Sequence, residues 1–199
     1  RNYRSSESIV TIANSVMRFI PTLPFKEKMI ANTKEGNIPE VHYFFRGSDE
    51  YDWIVSSLEK LIKKYRGKHK PNLTFAVISR YNSDLYRIEE RLHQKHLCTQ
   101  YNPEQTPINN KNVTLATIHG SKGLEWDVVF FMNLHDDVFP SRKGDDEIIC
   151  ERRLFYVGIT RAKKALYMTY SRQERCLSRF VREIPRPFLK FHNVTSFKL

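Results

Sequence analysis

Residues 113–131, VTLATIHGSKGLEWDVVFF, contain two apolar runs with a short polar segment between them. The runs at 113–118 and 127–133 have the continuous apolar character of strands that are covered on both faces. The polar segment HGSKGLEW carries a His, a Lys and a Glu, together with two glycines that permit tight backbone turns. Parallel sheets bind ligands at the carboxyl ends of their strands, where this segment begins. We therefore expect the segment to serve a function.

The rest of the chain alternates between strand and helix patterns. Strands are predicted at 41–45, 73–79 and 165–170, and loops at 26–37 and 101–112. Helices are predicted from Ser5 or Ser6 onward and over about 49–65, 83–95, 147–162 and 173–184. The last of these is predicted to be amphipathic, with arginines along one side. This alternation predicts an α/β fold with a mostly parallel central sheet and helices on both faces.

The composition indicates a folded, basic protein. Hydrophobic residues make up 40% of the 199 residues, enough to bury a core, and the net charge is +11. Such a charge fits a polyanionic partner such as nucleic acid or a nucleotide, or only a soluble basic surface. The three cysteines form no CxxC pair, which predicts reduced thiols and an intracellular location. No apolar run is long enough to span a bilayer, so we expect no membrane partner.

The segment HGSKGLEW superficially resembles a phosphate-binding loop. In that motif the lysine follows the second glycine, whereas here Lys122 precedes Gly123. We therefore predict that the chain cannot grip a triphosphate by itself.

Two other sets of residues have the chemistry of metal ligands. Asp136 and Asp137 follow the second apolar run and could hold magnesium, but solvated loop carboxylates are the preferred interpretation. His93 and His96 have helical ligand spacing without a third ligand nearby, and we interpret them as surface histidines. The sequence therefore predicts no metal site.

Three segments carry a resemblance to a known family. RNYRSSESIVTIAN at 1–14, VTLATIHGSKGLEWDVVFFMNL at 113–134 and ERRLFYVGITRAKKALYMTYS at 151–171 resemble the last three motifs of superfamily 1 DNA helicases of the UvrD/Rep type. AVISRYNSDLYRIEERL at 76–92 and SRFVREIP at 178–185 agree as well, in the family's order. The resemblance implies that residues 1–199 form the second RecA-like motor lobe, an α/β, three-layer fold.

In that family, ATP lies in a cleft between two RecA-like lobes, and the first lobe carries the phosphate loop. The resemblance therefore implies that ATP and Mg²⁺ are held mainly by an N-terminal RecA-like lobe, which is a partner of this one. It implies an ATP-dependent helicase or translocase that acts on single-stranded DNA with 3′ to 5′ polarity. We expect this lobe alone to hydrolyse ATP negligibly.

Four residues match the family's nucleotide contacts. Tyr3 matches the tyrosine that stacks on adenine, and Glu125 matches the glutamate that contacts the sugar. Arg4 and Arg161 match the two catalytic arginines on the γ-phosphate, with Arg161 as the arginine finger. Arginine suits this role because its planar fork stays charged and binds phosphate oxygens in pairs. The alternatives are a core or capping tyrosine, a helix-end salt bridge of Arg161, and a Glu125–Lys122 pair.

Five residues match the family's contacts to DNA. His119 matches the histidine that meets the single strand, although a histidine capping a turn is the alternative. Arg80 and Asn82 match the turn that touches the DNA backbone. Thr117 and Ser121 are weaker candidates for hydrogen bonds to phosphates.

The sequence departs from the family at two places. Typical members insert a large domain where only 101–112 lie here, so the inserted domain is absent or has been removed. Many members also have a base-stacking aromatic after the last motif strand, and none can be assigned in SRQERC at 171–176. Glu151 and Arg152 are interpreted as structural or lobe-coupling residues.

Two other functions remain open. The chain could be a degenerate motor lobe that serves as a nucleic-acid- or partner-binding module, although the intact set Tyr3, Arg4, Glu125 and Arg161 argues against it. It could also be the helicase half of a recombination nuclease, which requires a nuclease segment beyond Leu199. A Walker lobe upstream would identify a motor.

Overall fold

The computed structural model describes residues 2–20, 29–33, 36–65, 72–97, 99–101, 113–141, 144–173 and 176–194, without the side chains of 2–4, 32, 33 and 145. The strands are β1 (Asn2–Ser6), β2 (Ala31–Thr33), β3 (Glu40–Phe44), β4 (Phe75–Ser79), β5 (Thr99–Tyr101), β6 (Val113–Thr117), β7 (Trp126–Phe131), β8 (Ala162–Ser171) and β9 (Lys190–Val194). The α-helices are α1 (Glu7–Met17), α2 (Gly47–Tyr65), α3 (Asn82–Gln94), α4 (Asp145–Ile159) and α5 (Arg179–Arg182), with a 3₁₀ turn at Arg186–Phe188.

Seven of these strands form one parallel sheet in the order β5-β6-β4-β7-β8-β3-β9. Every residue of β4 is buried, as its continuous apolar pattern predicts for a strand with both faces covered. A separate two-stranded parallel sheet joins β1 to β2. The predicted α/β fold with a mostly parallel central sheet is confirmed.

Helices cover both faces of the large sheet. One buried cluster joins α1, α4 and α5 to the sheet and includes Ile9, Phe155 and Phe180. The other joins α2 and α3 to the opposite face, with Leu58 and Ile88 at its centre. Successive residues of each strand point to opposite faces, so every buried strand contributes to both clusters. These layers form the three-layer RecA-like fold.

The small β1–β2 sheet is held against the start of β8. The hydroxyl of Ser5 donates a 2.8 Å hydrogen bond to the carbonyl of Ala162. Gly36 has a φ of +152°, and a Cβ there would lie 2.2 Å from the Cβ of Ser6. Segment 26–37 was predicted as a loop or hairpin, but a hairpin is wrong for its described part, because β2 runs parallel to β1.

The predicted helix at 173–184 is wrong over most of its length. Among the described residues of this segment only Arg179–Arg182 is helical, and Leu177 instead forms an antiparallel bridge with His135 in the loop after β7. Strand β8 also begins earlier than predicted, so α4 ends at Ile159 instead of 162. Pairing with neighbours on both sides extends β8, and this tertiary contact overrides the helical periodicity of the sequence.

The two outer strands of the sheet were not predicted. Strand β5 lies at one edge beside β6, and its last residue is the first residue of the loop predicted at 101–112. Strand β9 lies at the other edge beside β3. The first four residues of β9 are exposed. Short, exposed edge strands lack the apolar signal that reveals buried ones. Residues 102–112 lie outside the described part of the chain.

Gly158 fixes how closely α4 approaches the sheet. A Cβ at this position would lie 2.6 Å from Cε1 of Phe131, which is fully buried. We predict that Gly158→Ala lowers the free energy of unfolding by about 1–3 kcal/mol, because Phe131 must move in a filled core. Denaturant unfolding measures this change.

Gly47→Ala is the matched control, because its new methyl group would meet its nearest neighbour at 3.8 Å. We expect it to leave the unfolding midpoint nearly unchanged. A Gly158→Ala variant as stable as wild type would contradict this close packing.

Candidate functional site

Residues 118–125 form a crossing segment that connects the two ends of the sheet. The segment leaves β6 at its carboxyl end, after Thr117, and enters β7 at its amino end, before Trp126. Both strands run parallel to β4, which lies between them. A connection between parallel strands usually needs a dozen or more residues. This connection has eight residues and must cover the length of a five-residue strand, which is about 17 Å. The segment therefore has little slack.

The first half of the crossing segment is a tightly hydrogen-bonded turn. The amide of Ser121 donates to the carbonyl of Thr117 at 2.8 Å, and the amide of Gly120 donates to the Thr117 hydroxyl at 3.1 Å. The Ser121 hydroxyl donates to the carbonyl of Ile118 at 2.7 Å. Gly123 has a φ of +85°, which favours glycine. Ser121 is fully buried, so in this conformation its hydroxyl cannot reach a ligand outside the protein.

The residues predicted to contact DNA gather at the carboxyl end of the sheet. His119 is exposed, and so is Asn82, the first residue of α3. Arg80 is largely covered, since its Nη2 lies 2.7 Å from Oε1 of Glu151 and 3.2 Å from the hydroxyl of Ser141. Its Nη1 is buried without a hydrogen-bond partner among the described residues. Arg80 is thus held in a structural ion pair, and in this conformation its Nη1 is covered from solvent.

Arg161 lies at the opposite end of the sheet, directly before β8. Its side chain is buried, and its Nε donates to the carbonyl of Val157 at 2.9 Å. Its Nη1 donates to the carbonyl of Leu124 at 2.8 Å, near the end of the crossing segment. The Arg161 carbonyl in turn accepts a 2.9 Å bond from the amide of Trp126. The arginine therefore joins α4, the crossing segment and β7.

Glu125 and β1 lie at this same amino end. Oε1 of Glu125 is 2.7 Å from Nζ of Lys163, and each side chain is about one-third exposed. The backbone of β1, which carries Tyr3 and Arg4, contacts β8 through the Ser5–Ala162 hydrogen bond. The side chains of Tyr3 and Arg4 lie outside the described part of the structure. The segments that carry the four predicted nucleotide residues therefore meet at one end of the sheet.

The position of the polar segment 119–126 differs from the sequence-based expectation in one respect. Only its first half, with His119, lies at the carboxyl ends of the strands. Glu125 lies at the amino end, because the segment crosses the sheet instead of folding back on itself. Sequence spacing could not reveal this, since it does not show that β4 separates β6 from β7.

A second group of buried polar residues lies under the carboxyl end of the sheet. Glu50 is buried and accepts hydrogen bonds from the Thr169 hydroxyl at 2.6 Å and the Asn133 amide at 2.9 Å. Asp84 accepts bonds from the Ser79 hydroxyl at 2.6 Å and the Asn133 side chain at 3.0 Å. Burial raises the pKa of Glu50 to about 7, and the nearby charge of Asp84 adds to this effect.

These carboxylates line a pocket of about 700 Å³. Tyr81, the residue between Arg80 and Asn82, lies at its wall and is 44% exposed. Gln173, from the link after β8, lines the same pocket. Sequence reasoning missed both Glu50 and Tyr81, because Glu50 resembles an ordinary residue of a first helical turn and Tyr81 an ordinary turn residue.

Comparison with known proteins identifies the family. Residues 1–102 and 97–173 match the UvrD-like helicase C-terminal domain. The chain belongs to this family. No helix in the described part of this UvrD-like domain is both long and apolar enough to cross a membrane.

Individual relatives agree with this assignment. DNA helicase II of Rickettsia typhi is 46% identical over 87 residues, which cover 37% of this chain and 13% of that protein. ATP-dependent DNA helicase PcrA of Staphylococcus aureus MRSA252 is 40% identical over 94 residues, which cover 41% of this chain and 13% of that protein. The matched part thus spans about one-eighth of the length of these relatives.

A solved structure shares the fold. It is the C-terminal domain of a possible DNA helicase from Lactobacillus plantarum WCFS1, with a TM-score of 0.69 and 17% sequence identity. The match covers 96% of this chain and 99% of that one.

The residues considered as metal ligands in the UvrD-like domain have other partners. Asp136 accepts a bond from the amide of Arg179 at 2.8 Å and pairs with Arg182 at 2.9 Å, so it is a helix-capping residue. His93 lies 3.1 Å from the hydroxyl of Thr99. These contacts connect neighbouring parts of the fold, α3 to β5 for His93 and the loop after β7 to α5 for Asp136.

The pKa of Glu50 predicts how the stability of the UvrD-like domain depends on pH. Its pKa in the folded state is above the ordinary value of 4.5. Between pH 4.5 and about 7 the unfolded chain loses this proton while the folded protein keeps it, so stability falls as pH rises. Above pH 7 the loss is complete and amounts to about 3 kcal/mol. Glu50→Gln removes this titration.

We therefore expect wild type to lose more unfolding free energy than Glu50→Gln between about pH 5 and pH 8. Denaturant unfolding at both pH values measures the difference. Glu90→Gln, which changes an exposed glutamate on α3, should keep the wild-type pH dependence. Equal pH dependence in wild type and Glu50→Gln would show that Glu50 does not hold its proton.

Proposed function

We propose that this UvrD-like domain is the second motor lobe of an ATP-driven enzyme that moves along single-stranded DNA from 3′ to 5′. ATP and Mg²⁺ are held mainly by a first RecA-like lobe, and this lobe completes the site. Family membership and relatives named DNA helicase II and PcrA support the proposal. The family matches at 1–102 and 97–173 overlap over residues 97–102, which supports a short link in place of the inserted domain.

The observation that carries the proposal is the crossing segment. Its His119 lies at one end of the sheet and its Glu125 at the other, and a tight turn leaves little slack between them. A displacement at either end is therefore transmitted to the other. A motor lobe needs this property, because ATP binding in one place must alter the hold on DNA in another.

We assign the nucleotide contacts to the amino end of the sheet. Tyr3 stacks on the adenine base, Glu125 contacts the sugar, and Arg4 and Arg161 reach the γ-phosphate. The meeting of β1, the crossing segment and the start of β8 supports this assignment. An arginine at the γ-phosphate stabilises the charge that develops during phosphoryl transfer.

In the structure Arg161 points inward, toward the carbonyl of Leu124. We infer that closure of the two lobes on ATP exchanges this carbonyl for a phosphate oxygen, a stronger charge-assisted partner. The exchange releases the end of the crossing segment, so that its other end, with His119, can shift. Hydrolysis restores the bond to Leu124.

We assign DNA binding to the carboxyl end of the sheet. His119 and Asn82 are exposed there, and Arg80 holds a buried Nη1 with no partner among the described residues. Thr117 and Ser121 act by holding the turn beneath His119. The net charge of +11 favours a phosphate backbone.

Tyr81 is assigned as the aromatic platform for a base. The link after β8 in this chain contains no aromatic residue at the place where many family members have one. Tyr81 offers an exposed ring in the same pocket as Gln173 of that link. A flat ring can stack on any base, which suits a motor that does not read sequence.

The first test is Arg161→Ala in a polypeptide that carries both motor lobes. We expect ATP hydrolysis to fall about a thousandfold or more, while binding of single-stranded DNA is largely kept. Arg153→Ala, which changes an exposed arginine on α4, is the control and should retain hydrolysis.

The stability of the same variants separates catalysis from structure. Arg161→Ala removes the donor of the Leu124 carbonyl and leaves the Val157 carbonyl with only the Thr160 hydroxyl, which costs about 1–3 kcal/mol of unfolding free energy. If the Arg161→Ala variant is folded and hydrolyses ATP at the wild-type rate, Arg161 is not part of the nucleotide site. If the wild-type two-lobe polypeptide hydrolyses no ATP, the degenerate-lobe alternative replaces the proposal.

The second test is Tyr81→Ala in the same polypeptide. Loss of one stacked base costs about 1–3 kcal/mol, so affinity for single-stranded DNA should fall by a factor of about 5 to 150. Tyr86→Ala is the control, because Tyr86 is 60% exposed on α3, the helix that Tyr81 precedes, but does not line the pocket. If Tyr81→Ala and Tyr86→Ala bind single-stranded DNA with equal affinity, Tyr81 does not contact the DNA.

A further inference from the structure

Two histidines and a glutamate converge where β3 meets the edge strand β9, away from the proposed nucleotide and DNA sites. Glu40 and His42 are two residues apart on β3, so their side chains lie on the same face of the sheet. His192 on β9 is the direct parallel partner of His42. The fold therefore brings three metal-ligating side chains from two strands to one place.

The three donor atoms are close enough to share an ion. Oε2 of Glu40 lies 2.8 Å from Nε2 of His42 and 3.3 Å from Nε2 of His192, and all three ligand atoms lie within 4.8 Å of one another. In a tetrahedral zinc site with bonds of about 2.0–2.1 Å, neighbouring donors are about 3.3 Å apart. Two of the separations already fall at or below that value.

The surrounding residues hold the His42 side chain in place, whereas the His192 side chain is free to change its orientation. His42 is 7% exposed and packs against Trp53 with ring centroids 4.1 Å apart. His192 stacks on His42 at 4.4 Å with an interplanar angle of 9°, and its side chain is 44% exposed. Parallel rings cannot both point at one ion, so binding requires His192 to turn, and its exposure on an edge strand permits this.

We propose that Glu40, His42 and His192 form a site for a first-row divalent transition metal, with Zn²⁺ as the best fit. Two imidazoles and one carboxylate are a ligand set that suits such ions and disfavours Mg²⁺, which prefers oxygen ligands alone. The ion would join the edge strand β9 to β3. The site is independent of the motor function proposed above.

The groups around the metal-binding histidines predict that the ion binds reversibly. A metal-binding histidine usually donates its other ring N–H to an acceptor, which orients the ring and strengthens the bond. Nδ1 of His42 is buried without a hydrogen-bond partner among the described residues. We therefore expect a chelator to remove the ion without unfolding the protein.

Titration of the purified chain with Zn²⁺ and with Co²⁺ tests the proposal. We expect one equivalent of Zn²⁺ to bind, and a hundredfold excess over the dissociation constant to raise the melting temperature by about 5–10 °C. Co²⁺ bound here lies beside Trp53 and should quench its fluorescence, and EDTA should reverse both effects. Mg²⁺ should produce neither.

Variants separate this site from adventitious binding. Glu40→Gln and His192→Gln should each abolish the thermal shift and the quenching, and His192→Gln leaves the buried core untouched because His192 is exposed. His93→Gln, which removes a histidine on α3, should bind Zn²⁺ as wild type does. The proposal is overturned if wild type binds no stoichiometric Zn²⁺, if Mg²⁺ gives the same shift, or if His192→Gln binds like wild type.

Discussion

The guanidinium of Arg161 donates hydrogen bonds to the carbonyls of Val157 and Leu124, and so ties the end of α4 to the end of the crossing segment. The amide of Trp126 completes the connection by donating to the carbonyl of Arg161. These bonds fix the start of β7 relative to the start of β8. A buried guanidinium needs such acceptors, since desolvated charge is costly unless it is hydrogen-bonded. The residue that we propose to contact the γ-phosphate therefore also holds the amino end of the sheet together.

The carboxyl end of the sheet is held by a different kind of network. The ion pair between Arg80 and Glu151 is almost completely buried, and Glu50 and Asp84 accept bonds from the ends of β4, β7 and β8. Arg152, the neighbour of Glu151, pairs with Glu183 and lies 4.7 Å from the Phe180 ring. Glu151 and Arg152 thus have the structural contacts expected of them. Removal of one partner of a buried ion pair is strongly destabilising, so Arg80 and Glu151 stabilise this end of the sheet together.

A crossing segment with little slack connects these two ends. The sheet itself is rigid because both of its faces are covered and its central strands are fully buried. Flexibility is therefore confined to the loops at its ends, where the proposed ligands bind. Relative motion of His119 and Glu125 is possible only if the turn between them changes, and Gly123, with its positive φ, provides a hinge there. This arrangement would let the two proposed ligands act on each other from opposite ends of the sheet.

The alternation of the central strands with helices, the parallel sheet and the family resemblance could be predicted from the sequence alone. Continuous apolar runs identify buried strands such as β4 and β7, and the motif residues around His119 and Arg161 identify the UvrD-like domain. These features are encoded locally, in the identity and period of neighbouring residues.

Tertiary structure alone decided where the crossing segment runs, where β8 begins and that β9 exists. It also decided that Ser121 and Arg161 are buried, that burial raises the pKa of Glu50, and that His42 and His192 meet. Each of these facts depends on which segments become neighbours in space. The sequence contains no local signal for such pairings, because strand order and burial follow from packing energies summed over the whole domain.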